Sequence, residues 1–325
     1  MGTLMSTKEN VRQPCTILLP LFNGSSFLLQ SINNLREIAG PNDEILIIDD
    51  GSTDLTDQEI KSFGNLDSRI IFHRCKHQGL VETLNYGLKI AANELIARAD
   101  VDDIYEKNRI QLQVEFLENN PEVSAVFSDY KMVSAAGANL GIFPSAISPE
   151  LTAFSLMSSQ RTPHPSVMYR KSLVVAAGGY LPEDFPAEDL GLWIRLVKGN
   201  QIAAIPSVLL NYTVHNSSIT QTKRELMQVK SHALRQKYAL DGDFSEVLNS
   251  AKWLLSGYKD VPYRDLRILF FLEDLIRFDR LTGGFHRKVI LMTIVNQVLK
   301  RGVLFVPAAF FVVFMKMKRR SFRTT

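Results

Sequence analysis

Three carboxylates fall within four residues, at Asp100, Asp102 and Asp103, directly after the apolar run Leu95-Ile96-Ala97. Like charges this close repel one another unless a cation or protons offset them. Hard carboxylate oxygens suit Mg2+ or Mn2+, ions that commonly bridge one or two carboxylates to a substrate diphosphate. A second acidic segment, Asp49-Asp50-Gly51-Ser52-Thr53-Asp54, follows another apolar run, and Pro20-Leu21-Phe22-Asn23-Gly24 follows a third. Asp-Gly-Ser-Thr-Asp is also good turn and helix-capping chemistry, so alone it is open to either reading. Together the segments offer an aromatic ring, a carboxylate pair and a carboxylate triplet.

The elements that must position these groups are legible in the first half of the chain. Short apolar runs alternate with longer amphipathic stretches, the pattern of an α/β fold with a mostly parallel sheet and helices on both faces. Strands are expected at 16–19, 44–48, 69–73, 94–99 and 123–127, with helices at 26–38, 56–63, 80–92 and 108–118. The third helix sets Leu80, Leu84, Leu88 and Ala91 on one stripe. Each strand of an open parallel sheet delivers its following loop to the same edge, where ligands bind, so the three polar segments are expected to meet there. After Ser134 the texture loosens into Ser, Ala, Gly and Pro. A strand near 167–169, a helix from about Ala187 and a strand near 202–209 read as an α+β addition. Beyond about Thr220 the patterns are helical, interrupted by Asp241-Gly242-Asp243 and Gly283-Gly284.

The 325 residues are 46% hydrophobic and 22% charged, which excludes collagen-like, low-complexity and wholly disordered chains and allows a large buried core. Cys15 and Cys75 each sit in an apolar run, too few for a disulfide framework or a Cys-based metal site, and suggest a reducing compartment. Residues 1–13 lack the apolar core of a secretory signal, so a cytoplasmic location is expected. The net charge of +3 hides two bodies of opposite sign: residues 280–325 carry ten Lys or Arg and no acid, leaving −7 on residues 1–279. Such asymmetry points to an anionic partner for the tail. Gly302 to Met315 is an uncharged run of 14 residues. As a helix it reaches about 21 Å, short of the roughly 30 Å hydrocarbon core, so a simple span is not expected. Basic flanks suit an element lying on an anionic membrane surface, apolar face inward. A helix packed on the rest of the chain, or pairing in a homodimer, is the other reading. Nucleic acid is not the expected partner, because the tail's aromatics lie in continuous blocks instead of alternating with its basic residues. No G-x-G-x-x-G follows the first strand and no Walker A motif is present, which argues against dinucleotide oxidoreductases and P-loop NTPases.

The order Pro-x-Phe-Asn-Gly, Ile-Asp-Asp-Gly-Ser-Thr-Asp, Gly79-Leu80 with Leu84-Asn85-Tyr86-Gly87, and Ile96-Ala97-Arg98-Ala99-Asp100-Val101-Asp102-Asp103 resembles the inverting glycosyltransferases of family 2, which have the Rossmann-like GT-A fold. His164-Pro165-Ser166-Val167, Gly178-Gly179-Tyr180, residues 187–195 and Tyr212-Thr213-Val214-His215-Asn216 continue the likeness. It covers roughly 14–220, and leaves 221–325 as a C-terminal helical region. The resemblance implies a metal-dependent transfer of a sugar from a UDP-, GDP- or dTDP-sugar donor to an acceptor hydroxyl. In its terms Pro20, Phe22 and Asp50 line the nucleoside pocket, and Asn23, Ser52, Arg98, Asp100 and Asp103 complete the donor site. Asp102 and His215 hold Mn2+ or Mg2+, and Asp189 is the catalytic base. Glu188, Trp193 and His164 are candidates for the acceptor side. Trp193 serves equally as a core residue, and His164 and His215 as hydrogen-bonded structural histidines. Phe22 stands where Tyr is common, and Gly191 where Asp is frequent. Asp189 is expected to open a helix, where the dipole favours its ionised form. With the basic tail, the resemblance suggests bacterial surface polysaccharide assembly on a saccharide or lipid-linked acceptor, peripheral to the inner face of the cell membrane. A non-catalytic sugar-nucleotide-binding or scaffold protein of the same fold is the alternative.

Overall fold

The computed structural model describes residues 12–238, apart from 56, 146, 147, 159–161, 216 and 217, together with Asp274 and Arg277. The tail and both Gly- and Asp-containing breaks named above lie outside the described residues.

Five elements open the chain in strict alternation: β1 (Cys15–Leu21), α1 (Ser25–Ile38), β2 (Glu44–Asp49), α2 (Asp57–Gly64) and β3 (Ile70–Arg74). They continue through α3 (Leu80–Ile90), β4 (Leu95–Arg98), the two-residue β5 (Ile104–Tyr105) and α4 (Arg109–Asn119). The second half holds β6 (Val123–Ser134), β7 (Asn139–Phe143), α5 (Pro149–Ser158), β8 (Met168–Arg170), α6 (Lys171–Ala176), α7 (Glu188–Leu196), β9 (Gln201–Val214), α8 (Ile219–Thr222) and α9 (Arg224–Tyr238). The nine strands among the described residues form one sheet in the order β3-β2-β1-β4-β8-β6-β9-β5, with β7 paired to β6 off that path. Strands β3, β2, β1 and β4 are mutually parallel, and β6 is parallel to β9. β8 runs antiparallel between β4 and β6.

Burial on both faces explains why the parallel strands read as unbroken apolar runs. Successive β1 residues point to opposite layers: Ile17 and Leu19 pack with α1 and α4, while Leu18 packs with α3 and α7. Gly87 lets α3 settle onto the sheet, since a Cβ there would stand 2.4 Å from Leu18 Cδ1. The expected stripe on α3 is present, with Leu84 and Leu88 buried and Leu80 at its edge.

Where β4, β8 and β6 diverge, side chains of α4 take over from strand pairing. Arg109 and Gln113 are fully buried there. Arg109 Nη2 donates to the carbonyls of Arg98 (2.8 Å) and Val167 (3.2 Å). Gln113 Nε2 donates to those of Ser166 (2.8 Å) and Val126 (3.2 Å). Arg109 Nε is bonded to Gln113 Oε1, and its guanidinium lies 4.3 Å over the Tyr105 ring. The buried carbonyls thus gain side-chain donors, that of Val167 in addition to the Arg98 amide (3.0 Å). This seam lies directly beneath the Asp100–Asp103 loop.

Candidate active site

The three polar segments do meet at the carboxyl edge of the parallel strands. The loop after β1 and the loop after β2 are stitched together: the Asn23 amide donates to Ser52 Oγ (2.9 Å), and the Thr53 amide donates to Asn23 Oδ1 (2.9 Å). Asn23 adopts φ 49, a left-handed conformation that asparagine tolerates. Asn23 and Ser52 therefore act within the protein as braces between loops, a role that loop spacing does not reveal. Pro20 is buried within β1 opposite Ile48, forming the floor.

Asp50 is 3% exposed and accepts the backbone amides of Gln78 (2.7 Å, Oδ1) and Gly79 (2.9 Å, Oδ2). His77 Nδ1 lies 2.8 Å from the same Oδ2, and the His77 ring stacks on Phe22 with centroids 4.2 Å apart. Phe22 remains 48% exposed, a large apolar ring presented to solvent beside a fixed carboxylate. Gly51 permits the approach of these loops, because its φ is 75 and a Cβ would stand 2.8 Å from the His77 nitrogen. His77 belongs to this pocket although its sequence surroundings carry no signal.

Asp100, Asp102 and Asp103 each bring an oxygen within 4.8 Å of the others. Each is tethered differently. Asp100 forms an ion pair with Arg98 Nη1, and Asp102 is hydrogen-bonded to His215 Nε2 just after β9. Asp103 Oδ1 accepts the Thr213 amide at 2.7 Å, while its buried Oδ2 has no hydrogen-bond partner. Burial, and then the charges of Asp100 and Asp102, push the Asp103 carboxyl well above the usual carboxylate range. Burial also raises Asp100, against the pull of Arg98. A divalent cation fits this donor set: it would offset the mutual repulsion and give the orphaned oxygen a partner.

Opposite the triplet, α7 opens with Glu188 and Asp189 without a side-chain cap, placing both carboxylates at the positive end of the helix. Asp189 is partly exposed and its charge is felt by Asp100. Glu188 is 5% exposed with Oε2 unpartnered, and burial followed by the Asp189 charge pushes its carboxyl up to about 7.

Three expected site residues lie beneath the site. Trp193 is fully buried, its ring edge-on to Phe127 at 5.3 Å, so it packs the core and offers no face to an acceptor. Asp189 and Trp193 share a helix by spacing, but the first is partly exposed and the second fully buried against the sheet. His164 is 7% exposed, bonded through Nε2 to the Tyr180 hydroxyl (2.8 Å), and burial holds it well below the usual imidazole range. It is thus a neutral structural histidine. Arg98 is 4% exposed, its guanidinium paired with Asp100 of the triplet. His215 is the histidine that reaches the site.

A Rossmann-like sheet with a carboxylate triplet at its edge, an exposed ring beside a fixed carboxylate and a helix-opening acidic pair is the arrangement of the GT-A fold. Residues 16–164 match the model of glycosyl transferase family 2. An uncharacterized glycosyltransferase of Rickettsia felis is 25% identical over 305 residues, 89% of this chain but 48% of that protein, so the chain spans about half the length of this relative. The amylovoran biosynthesis glycosyltransferase AmsE of Erwinia amylovora is 28% identical over 69% of this chain and 86% of its own length. The Escherichia coli UDP-Glc:alpha-D-GlcNAc-diphosphoundecaprenol beta-1,3-glucosyltransferase WfgD is 26% identical over 71% and 86%. Among solved structures, TarS 1-349 of S. aureus in complex with UDP-GlcNAc superposes with a TM-score of 0.59 at 17% identity, covering 87% of this chain and 88% of that one. The mannosyltransferase PcManGT of Pyrobaculum calidifontis, in complex with GDP-Man and Mn2+, gives 0.55 at 17% identity over 89% and 81%. These likenesses establish the GT-A fold.

Proposed function

We propose that the chain transfers a sugar from a nucleoside diphosphate donor to an acceptor hydroxyl with inversion at the anomeric carbon. The observation that carries this reading is the meeting of an exposed Phe22 beside Asp50, the Asp100-Asp102-Asp103 cluster and Asp189 on one sheet edge. The base of the donor stacks on Phe22 and is read by Asp50, with His77 completing the pocket wall. Asp102 and His215, with Asp100 and Asp103 completing the carboxylate cluster, would hold Mn2+ or Mg2+, an ion that offsets the negative charge growing on a diphosphate leaving group. Asp189 takes the proton of the acceptor hydroxyl as that oxygen attacks from the face opposite the diphosphate, an effect typically worth about 10²–10⁴ in rate. The names of WfgD and AmsE support an acceptor in polysaccharide assembly, carried on a lipid diphosphate. The reading also places the basic tail against the anionic inner face of the membrane.

The experiment that tests it presents UDP-, GDP- and dTDP-sugars to the full chain with Mn2+, Mg2+ or EDTA, and follows thermal shift and release of nucleoside diphosphate. Ion-dependent stabilisation and turnover with one donor class is expected. Binding without transfer or hydrolysis, for every donor and acceptor offered, would favour a sugar-nucleotide-binding scaffold instead.

A further inference from the structure

Arg98 is a buried cation at the triplet that the catalytic scheme leaves unused. Its side chain is 4% exposed, and both ends of its peptide unit are fixed: its amide donates to Val167 (3.0 Å) and its carbonyl accepts Arg109 Nη2 (2.8 Å). The guanidinium is therefore held at the last residue of β4, directly below the loop it faces. Its ion pair is with Asp100, and its charge also reaches Asp103 and Glu188 on the acidic side. On the other side it is backed by groups that bring no compensating charge, the neutral His164 and the buried phenols Tyr169 and Tyr180. Nε has no hydrogen-bond partner, so the fork is not spent on the surrounding backbone.

We propose that Arg98 is a positioning residue that anchors the Asp100 carboxylate within the triplet, so that the cluster is set for a divalent cation before the donor arrives, and that it makes no contact with the donor. This rests on the reading of the triplet as a divalent-cation site. The three tethers then have distinct roles. Asp102 is aligned by His215 and Asp103 by the Thr213 amide, leaving Asp100 as the carboxylate whose alignment depends on a buried side-chain charge. Guanidinium suits the task better than ammonium: it is weakly hydrated, always charged and presents a planar fork to a carboxylate. Partners that orient metal ligands are worth about 10–100-fold in metal affinity when removed.

The test uses the full chain as wild type, Arg98→Met, Arg98→Lys, Asp100→Asn and the double variant Arg98→Met/Asp100→Asn. Free Mn2+ is followed by electron paramagnetic resonance in the absence of donor, alongside melting curves and the KM and kcat of donor hydrolysis. Arg98→Met is expected to weaken Mn2+ binding by about 10–100-fold with a matching fall in activity, and Arg98→Lys to recover part of both. The double variant is expected to melt higher than Arg98→Met alone, since it no longer leaves a buried carboxylate without its counter-charge. Wild-type Mn2+ affinity in Arg98→Met together with a raised donor KM would overturn the proposal and return Arg98 to the donor pocket. A double variant no more stable than Arg98→Met would overturn the pairing itself. Failure of the underlying reading looks different: the wild type then binds no Mn2+, while the melting cycle still reports whether Arg98 serves Asp100.

Discussion

Asp189 and Glu188 are adjacent in sequence yet chemically unlike, because one reaches the cleft and the other is enclosed. Asp189→Asn keeps the shape but cannot accept a proton, so donor affinity should persist while transfer falls by about 10²–10⁴, measured as kcat against donor Kd. Glu188, pushed up to about 7, holds in the folded chain a proton that the unfolded chain releases in the ordinary glutamate range. Its contribution to stability is complete at low pH and is lost as pH rises through about 7. Melting curves from about pH 5 to pH 8 should therefore fall more steeply for wild type than for Glu188→Gln. Asp102→Asn should abolish the Mn2+-dependent thermal shift with donor while leaving the melting curve without donor near wild type; full activity in EDTA would contradict the assignment. At this scale the sequence was informative where chemistry is concentrated in a loop, as at Asp50 and Asp100–Asp103. It was silent where tertiary packing decides. Nothing local separates His215, which reaches Asp102, from His164, which is sealed under Tyr180. Nor does spacing along α7 tell which side of the helix Trp193 takes.

The first turns of α7 illustrate how an element absorbs a departure from the pattern that the sequence resembles. Gly191 stands where Asp is frequent, and the space a side chain would fill there is taken by Asp184 from the preceding 3-10 turn. A Cβ at 191 would lie 2.1 Å from Asp184 Oδ2, and that oxygen pairs with Arg195 at 2.7 Å. Gly191→Ala should thus cost about 1–3 kcal/mol through overpacking, read as a lower melting temperature. Asp184→Ala should destabilise as well. Combining it with Gly191→Asp returns a carboxylate to Arg195 from one turn away and should recover part of the loss. The parallel strands and α1 to α4 were legible because burial on two faces and amphipathic helices leave opposite signatures. Two kinds of element were not. β5 has two residues, too few for any period. α5 buries Leu151, Thr152, Phe154, Ser155 and Leu156, most of its girth, so no polar face marks it as a helix within the Ser- and Ala-rich stretch.

For the whole molecule the charge division sets the expectation. The described domain is acidic at its functional edge, and the +10 region after Asp279 lies outside the described residues. Among the described residues no helix is long and apolar enough to cross a membrane. If the tail binds an anionic surface, flotation with anionic vesicles should recover the full chain and lose it at high salt, as screened headgroup contacts require. Recovery unchanged when the tail's Lys and Arg are replaced by Gln would favour packing or pairing of the helix instead.

The seam under the Asp100–Asp103 loop has a mechanical consequence. The strands that lead to Phe22 and Asp50 and the strand that leads to His215 belong to one sheet, joined along the strand order through β8, a strand of three residues, and also through β5, which pairs with β9. Beyond it the span is bridged by Arg109 and Gln113, whose bonds are to carbonyls of both banks. Relative motion of the two banks would strain those bonds together with the β5–β9 pairing and the Thr213 amide bond to Asp103, so α4 works as one tie rod beside a second strap, and the spacing between Phe22 and His215 is held at two levels.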